Sequence, residues 1–285
     1  MKKINMTYYQ LDKLKRFYPK TNIINTEAKL YYYDNNRILK LFYNMDENKM
    51  YTLQMINKYK KDINIDELFL DFDLALISNK VIATISDYIE GNNLSNVLYS
   101  PQILLKDKIN ILIKIGKVLE KIRKVRSSII SDFYIGDLYE DNILLTNDGN
   151  IKIMDMDSCK INNNKAYPSK YLTRLARRKK FNKKYVVDKR CPHIIIPNEN
   201  TDNYCYNMII LNTLYQGDIS KLKIQDFYKY LYYLDSIGIS KELVKNFCTM
   251  YNEEDTKNLY YLLDDLSNKH QAHRNVYKIK KDYLK

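Results

Sequence analysis

The placing of glycine divides this 285-residue chain more sharply than any other feature. There are six glycines, residues 1–90 hold none, and the first is Gly91. Without glycine, the first third cannot use the close backbone approaches and left-handed turns that glycine makes easy. Its pattern is one of short apolar–polar alternations, which predicts strands. Lys29 to Tyr33 and Arg37 to Phe42 flank Asp34-Asn35-Asn36, a hairpin turn by its residue types. A helix is predicted over about Asp46 to Lys60, with Met50, Leu53, Ile56 and Tyr59 on one face. Two further strands are predicted near Glu67–Ala75 and Val81–Tyr88, and Gly91-Asn92-Asn93 reads as a break.

Beyond the break the pattern turns helical. Ser100-Pro101 predicts an N-cap followed by proline at the first helical position. Leu105, Ile109, Leu112, Ile115, Leu119 and Ile122 then mark one apolar face. Residues 143–145 and 151–154 are short apolar strands around the turn Asn147-Asp148-Gly149-Asn150, and from about Asp202 helices alternate with polar loops. The expectation is an α+β chain: a small sheet-rich part joined through Gly91 to a larger helical part.

Composition excludes several classes. Hydrophobic residues at 45% and charged residues at 28% can build a core, which argues against a mostly disordered chain. The net charge of +13 suits an acidic partner such as a nucleotide, a nucleic acid or a phosphoprotein, without choosing among them. The 28 tyrosines, among abundant Lys, Asn and Ile, read as coding bias. Cys159, Cys191, Cys205 and Cys248 form no CxxC pair, and only His193, His270 and His273 could join them, so neither zinc nor a disulfide framework is expected. No apolar stretch follows the basic start MKKINMTYYQ, and no run is long enough for a bilayer. The expectation is a soluble chain in a reducing, cytoplasmic compartment, with no membrane partner.

The densest chemical signal is Gly136-Asp137-Leu138-Tyr139-Glu140-Asp141-Asn142-Ile143-Leu144-Leu145, followed by Lys152-Ile153-Met154-Asp155-Met156-Asp157. Here the chain resembles the protein-kinase-like superfamily, over about residues 22–267. Asp-Leu-x-x-x-Asn matches its catalytic loop, and Asp155 after a turn and an apolar strand matches the Asp-Phe-Gly segment. Phosphoryl transfer needs a carboxylate to orient the attacking hydroxyl and oxygen ligands to hold Mg²⁺ against the phosphates. The resemblance therefore implies a bilobal fold, with an antiparallel β-rich N-terminal lobe over residues 1–90 and a helical lobe over 91–285. It implies ATP and Mg²⁺ as cofactors. Asp137 becomes the catalytic carboxylate, Asn142, Asp155 and Asp157 the metal ligands, and Lys40 of Ile38-Leu39-Lys40 the phosphate-holding lysine. Asp87-Tyr88-Ile89-Glu90-Gly91 resembles the hinge, where main-chain groups at Asp87 and Ile89 hold adenine between Leu30, Ile38 and Leu144. Asp202-Asn203-Tyr204, followed by Leu211, Leu214 and Gly217, resembles the buried helix whose Asp braces the catalytic loop.

The departures from the family pattern are as specific. Asn25-Thr26-Glu27-Ala28-Lys29-Leu30 stands where the Gly-rich loop belongs and has no glycine. Gln54 stands where the glutamate that pairs with Lys40 is expected, with Glu47 as an alternative closer in sequence. Ile135-Gly136 replaces His-Arg before Asp137, and Gly136-Asp137 with Asp155-Met156-Asp157 resembles the aminoglycoside phosphotransferase branch. No Ala-Pro-Glu segment is visible, Ile196-Pro197-Asn198-Glu199 being a poor substitute. Lys170 to Arg190 carries ten basic residues and one acid, Asp188. That stretch is read either as a wall for an acidic protein acceptor, as a nucleic-acid surface, which is the less favoured partner, or as a solvated face. His270, His273 and the basic end Lys278 to Lys285 read as terminal residues. Three functions follow: a divergent Ser/Thr protein kinase first, a kinase-like binding scaffold second, and an aminoglycoside- or choline-type small-molecule kinase third.

Overall fold

A computed structural model describes residues 1–18, 27–164, 171, 186–188, 191–195, 197–250 and 256–268. Over these the protein is α+β, with a mixed five-stranded sheet and then a largely helical part. The sheet is built from β1 (Lys3–Asn5), β2 (Ala28–Tyr32), β3 (Arg37–Phe42), β4 (Asp73–Ile77) and β5 (Lys80–Asp87) in the order β1-β4-β5-β3-β2. Only the β1–β4 pair is parallel. The segment before β2 extends the edge: Phe17 N–H donates to Leu30 O at 2.9 Å and Tyr32 N–H to Lys15 O at 2.9 Å.

The turn at Asp34-Asn35-Asn36 is where the residue types place it, and the Asp34 side chain accepts from Asn36 N and Arg37 Nε. The β4–β5 hairpin turns on Ser78 and Asn79, both left-handed (φ 49° and 62°). That is the conformation of a tight primed turn, and Asn tolerates it where glycine is absent. The strand expected at Glu67–Ala75 begins only at Asp73. Leu68, after a turn at residues 66–67, instead forms a parallel bridge with Ile153, through Ile153 N–H to Glu67 O (2.7 Å) and Phe69 N–H to Ile153 O (2.9 Å). The expected strand is thus replaced by a single bridge at Leu68 and a strand that starts at Asp73.

The predicted helix is α2 (Glu47–Ile63), capped by the Asp46 carboxylate accepting from Lys49 N at 2.7 Å. It lies against one face of the sheet, where Leu53, Leu74 and Leu76 form a small core, and its far end joins the main core through Ile56 and Ile63. Met6, Leu39, Ala75, Ile77, Ala83 and Ile85 form a separate core on the other face, with Leu11 and Leu14 from the region of α1 (Tyr8–Asp12). The period-two alternation of β4, with Leu74 and Leu76 on one side and Ala75 and Ile77 on the other, lets one strand serve both.

Gly91-Asn92-Asn93 is not a break. It is a strand, β6 (Gly91–Asn93), paired antiparallel with β8 (Ile143–Thr146), which pairs in turn with β9 (Ile151–Ile153). A Cβ on Gly91 would lie 2.6 Å from Leu145 O and 3.2 Å from Thr146 Cα, both main-chain atoms. The first glycine of the chain is thus at a close approach of two backbones. Gly91→Ala is expected to destabilise the protein by about 1–3 kcal/mol through overpacking that no side-chain rotation relieves. A thermal melt checks it, and a midpoint equal to wild type refutes it.

After α3 (Leu94–Leu98), helix α4 runs over Leu105–Ser128 and buries all six residues of the predicted face. Its start differs from expectation. The N-cap is Leu104, with no side-chain cap, and Ser100 instead accepts from Gln102 N in a local turn. Pro101 precedes the helix by a full turn because residues 100–103 are used to leave α3. The short strands β7 (Phe133–Tyr134) and β10 (Lys160–Ile161) pair with each other, as do β11 (Val186–Asp188) and β12 (Cys191–Ile195). Helices α5 (Glu199–Tyr215), α6 (Ile224–Ser236), α7 (Lys241–Thr249) and α8 (Asp264–Asn268) complete the chain's described part.

Helix α5 is the centre of the main core. Thr201 to Leu214 are all buried, polar residues included. A helix buried all round must satisfy its polar side chains internally. Asn203 donates to Thr256 O, Asn207 to Asn203 O and Lys257 O, and Asn246 of α7 to Asn207 Oδ1. Among the described residues no helix is long and apolar enough to cross a membrane. Cys159, Cys205 and Cys248 are free thiols, the first two buried.

Candidate active site

Asp137 and Asn142 stand on the connection between β7 and β8. That connection is held from below by α5. The Asp202 carboxylate accepts from Ile135 N at 2.9 Å and from Gly136 N at 3.0 Å, so the expected brace is present. Gly136 is left-handed (φ 72°), a conformation that glycine adopts without strain, and it turns the chain into Asp137. Two N–H donors do not fully offset the removal of Asp202 from water: burial pushes its pKa up to about 6.

The Asn142 amide donates to both Asp137 O and Asp137 Oδ2, each at 3.0 Å. This fixes the Asp137 carboxylate and leaves its Oδ1 without a partner among the described residues. Burial first, and then the charge of Asp155, push the Asp137 pKa up to about 7, against the Asn142 hydrogen bond. Met154 N–H donates to Asn142 O at 2.8 Å, so the strand leading to Asp155 is tied to the same loop.

Asp155 is left-handed (φ 62°), at the start of a single 3₁₀ turn over Met156–Ser158. A non-glycine residue in that region is locally strained, and Asp bears it better than most. The turn sends Asp155 and Asp157 to the same place, where they meet Lys40. Lys40 is central in β3, in a row with Leu30, Thr84 and Leu74 across four strands. Its ammonium donates to Asp155 Oδ1, and to Asp157 Oδ1 and Oδ2 at 3.0 and 3.2 Å. Burial works against the Lys40 charge, but the two carboxylates outweigh it and hold its pKa above the usual lysine range. Burial likewise raises Asp155, whereas at Asp157 burial is overcome by Lys40 and Lys49, which hold its pKa below the ordinary value.

Lys40 is thus brought to Asp155 and Asp157, more than a hundred positions away, while Asp137 is tied to Asn142 within its own loop. Leu30 and Ile38 share the face of Lys40, Ile38 buried and Leu30 half-buried. Leu144 is half-buried on β8, opposite Asn93 and Lys152. Asp87 is exposed and closes the sheet ladder opposite Arg37, while Ile89 is half-buried in the link to β6. Tyr88 N–H is taken by Asn36 O at 2.7 Å.

Two site features were not anticipated. Gln54 is exposed and does not approach Lys40. The residue that α2 sends inward is Lys49, whose Nζ donates to Asp157 Oδ2 at 3.2 Å and to Glu27 Oε2 at 2.9 Å. The signal was legible in principle, since Lys49 is spaced four and seven residues from the buried Leu53 and Ile56, on their face of the helix. The other is Glu140, buried within the acidic loop, which accepts from the hydroxyls of Tyr99 and Tyr171. Asn212 of α5 donates to Tyr171 Oη at 2.7 Å. Apart from Tyr171 and the backbone of Val186–Asp188, the basic stretch lies outside the described residues, as do Asn25, Thr26, His270, His273 and Lys278 to Lys285.

Among the described residues no group of three or more His, Cys, Asp or Glu side chains is arranged to hold a metal ion. Besides Asp137 Oδ1, two oxygens are nonetheless left open: Asn142 Oδ1 and Asp155 Oδ2 accept from no described residue. No family model matches the sequence, and no curated protein matches it.

Proposed function

We propose that this protein is an ATP- and Mg²⁺-dependent phosphotransferase of the protein-kinase-like superfamily, a divergent Ser/Thr protein kinase. On this reading the sheet-rich part and the helical part are its two lobes. The observation that carries the reading is the convergence of Lys40, Asp137, Asn142, Asp155 and Asp157 from separate elements, with Asp202 bracing the loop.

The donor set fits Mg²⁺, which takes one or two protein ligands and completes its shell with phosphate oxygens and water. Asn142 Oδ1 and Asp155 Oδ2 would hold it, and the bound ion would neutralise charge on the phosphates. The open Oδ1 of Asp137 accepts the hydrogen of the acceptor hydroxyl and directs its oxygen at the phosphoryl group. Lys40 then exchanges part of its carboxylate contact for phosphate oxygen. Leu30, Ile38 and Leu144 supply apolar surface for adenine. An acidic protein acceptor suits the basic interval before α5, and the buried free thiols suit the cytoplasm.

One observation favours the second reading, a kinase-like binding scaffold: Lys40 and Lys49 are already paired internally with carboxylates. Calorimetric titration of ATP, with and without Mg²⁺, decides between them. An active site binds ATP more tightly with Mg²⁺ and loses that gain in Asp155→Ala. No binding at millimolar ATP overturns the enzyme reading and leaves the scaffold.

A further inference from the structure

Lys49 is a buried cation, its side chain 5% exposed, in the first turn of α2. An ammonium taken out of water is costly unless it is paired. The two carboxylates paired with it differ in kind. Asp157, 8% exposed, is shared with Lys40 and belongs to the interior of the site. Glu27 is 42% exposed, stands immediately before β2, and approaches from the solvent side. Both ammonium groups also lie over the Phe42 ring, Lys40 at 5.1 Å and Lys49 at 4.8 Å from its centroid. The two ammonium groups are therefore held side by side over one ring by three carboxylates, Asp155, Asp157 and Glu27, of which Glu27 is the most exposed.

Loops that cradle phosphate with backbone N–H groups rely on glycine for the close approach. Residues 1–90 contain none, so a phosphate held against this sheet has more to gain from side-chain donors. We propose that Lys49 is a second phosphate-binding residue beside Lys40, and that Glu27 occupies its outer position until a phosphate oxygen displaces it. An exposed carboxylate is the partner that leaves at least cost, because water takes up its charge. Asp157 stays, keeps Lys49 charged and aimed, and prevents the two lysines from separating. While it is in place Glu27 also repels an incoming polyphosphate, so it sets the threshold for binding. The proposal depends on the phosphotransferase reading for the identity of the nucleotide but not for that of the phosphate.

The test is calorimetric titration of the full chain with inorganic tripolyphosphate and, separately, with MgATP. The variants are Glu27→Gln, Lys49→Met and Lys49→Arg. Removing the competing carboxylate in Glu27→Gln is expected to tighten both ligands by about threefold or more, on the scale of an exposed ion pair. Lys49→Met is expected to weaken both by about tenfold or more, on the scale of a charge-assisted hydrogen bond, and Lys49→Arg to stay within a few-fold of wild type. Glu27→Gln changes an exposed side chain and keeps the test independent of whether Lys49→Met folds. Binding that is unchanged or weaker in Glu27→Gln, or unchanged in a folded Lys49→Met, overturns the proposal. If tripolyphosphate follows the expected pattern while MgATP binds none of the chains, the phosphate site stands and the phosphotransferase reading falls. If MgATP binds wild type and Lys49→Met alike, the reverse holds. Binding of neither ligand to any chain, Glu27→Gln included, overturns both.

Discussion

Asp137→Asn is expected, on the proposed phosphotransferase reading, to lower phosphoryl transfer by about 10²–10⁴-fold, the usual contribution of a positioned acid–base group, while MgATP binding stays within a few-fold of wild type. The geometry accounts for the asymmetry. The Asn142 amide already donates to Asp137 Oδ2, and the other carboxylate oxygen, which has no partner among the described residues, is the one left for the acceptor hydroxyl. An asparagine there keeps the volume and can keep one contact, but it offers no charge to the hydroxyl's proton. Turnover of ATP over time, measured with a generic basic or acidic protein as acceptor, checks the expectation. Equal rates in the two proteins would remove Asp137 from the mechanism. The pH profile supplies a second check. Burial and the neighbouring Asp155 raise the Asp137 pKa to about 7 in the nucleotide-free protein. Only the ionised form can accept the proton, so turnover should rise with pH along an acidic limb below about 7. Mg²⁺ held at Asn142 and Asp155 would stabilise the carboxylate and move that limb to lower pH. The variant should lack the limb.

Lys40→Met is expected to destabilise the protein by about 2–4 kcal/mol at neutral pH, because one charge of a buried network is lost and its partners remain. The figure is set below that of a fully buried pair because the Asp155 side chain is 36% exposed and water screens it. Most of the effect falls on Asp157, left with Lys49 alone. The sign with pH follows from the direction of the Asp157 shift. Its folded pKa is depressed below the unfolded value, so its stabilising contribution is present above that unfolded value, near pH 4, and is lost as pH falls through the folded one. Removing Lys40 raises the folded pKa of both carboxylates. The gap between wild type and variant should therefore be widest near pH 7 and close in acid below about pH 4, where the carboxylates protonate. Chemical denaturation at several pH values measures this. A gap that does not narrow in acid would mean that packing of the lysine stem, and not its charge, holds β3 to the Asp155–Asp157 turn.

Gly91 and the string from Gly136 to Asp157 show how far sequence alone reaches. Local chemistry determined the hairpin at Asp34–Asn36, the helix over α2, the buried face of α4 and the paired strands around Gly149, since each depends on periodicity or turn types within a short window. The same string marked Asp137, Asn142, Asp155 and Asp157 through its resemblance to the catalytic loop and the Asp-Phe-Gly segment of the protein-kinase-like superfamily. Lys40 could be singled out by its position after a hairpin, but its partners could not. Which side chain meets it depends on how α2 is rotated against the sheet, and that rotation is set by Leu53 packing on Leu74 and Leu76. The rotation turns Gln54 outward and Lys49 inward. Helix α5 escaped an amphipathic reading because it is buried on every side and has no polar face to reveal its period. Gly91 read as a break because glycine by itself does not distinguish a chain that bends from one that another backbone approaches. Residue types determined what each segment could do. Long-range packing alone decided which charges would face each other, because a buried charge is worth what surrounds it, and those surroundings come from more than a hundred residues away.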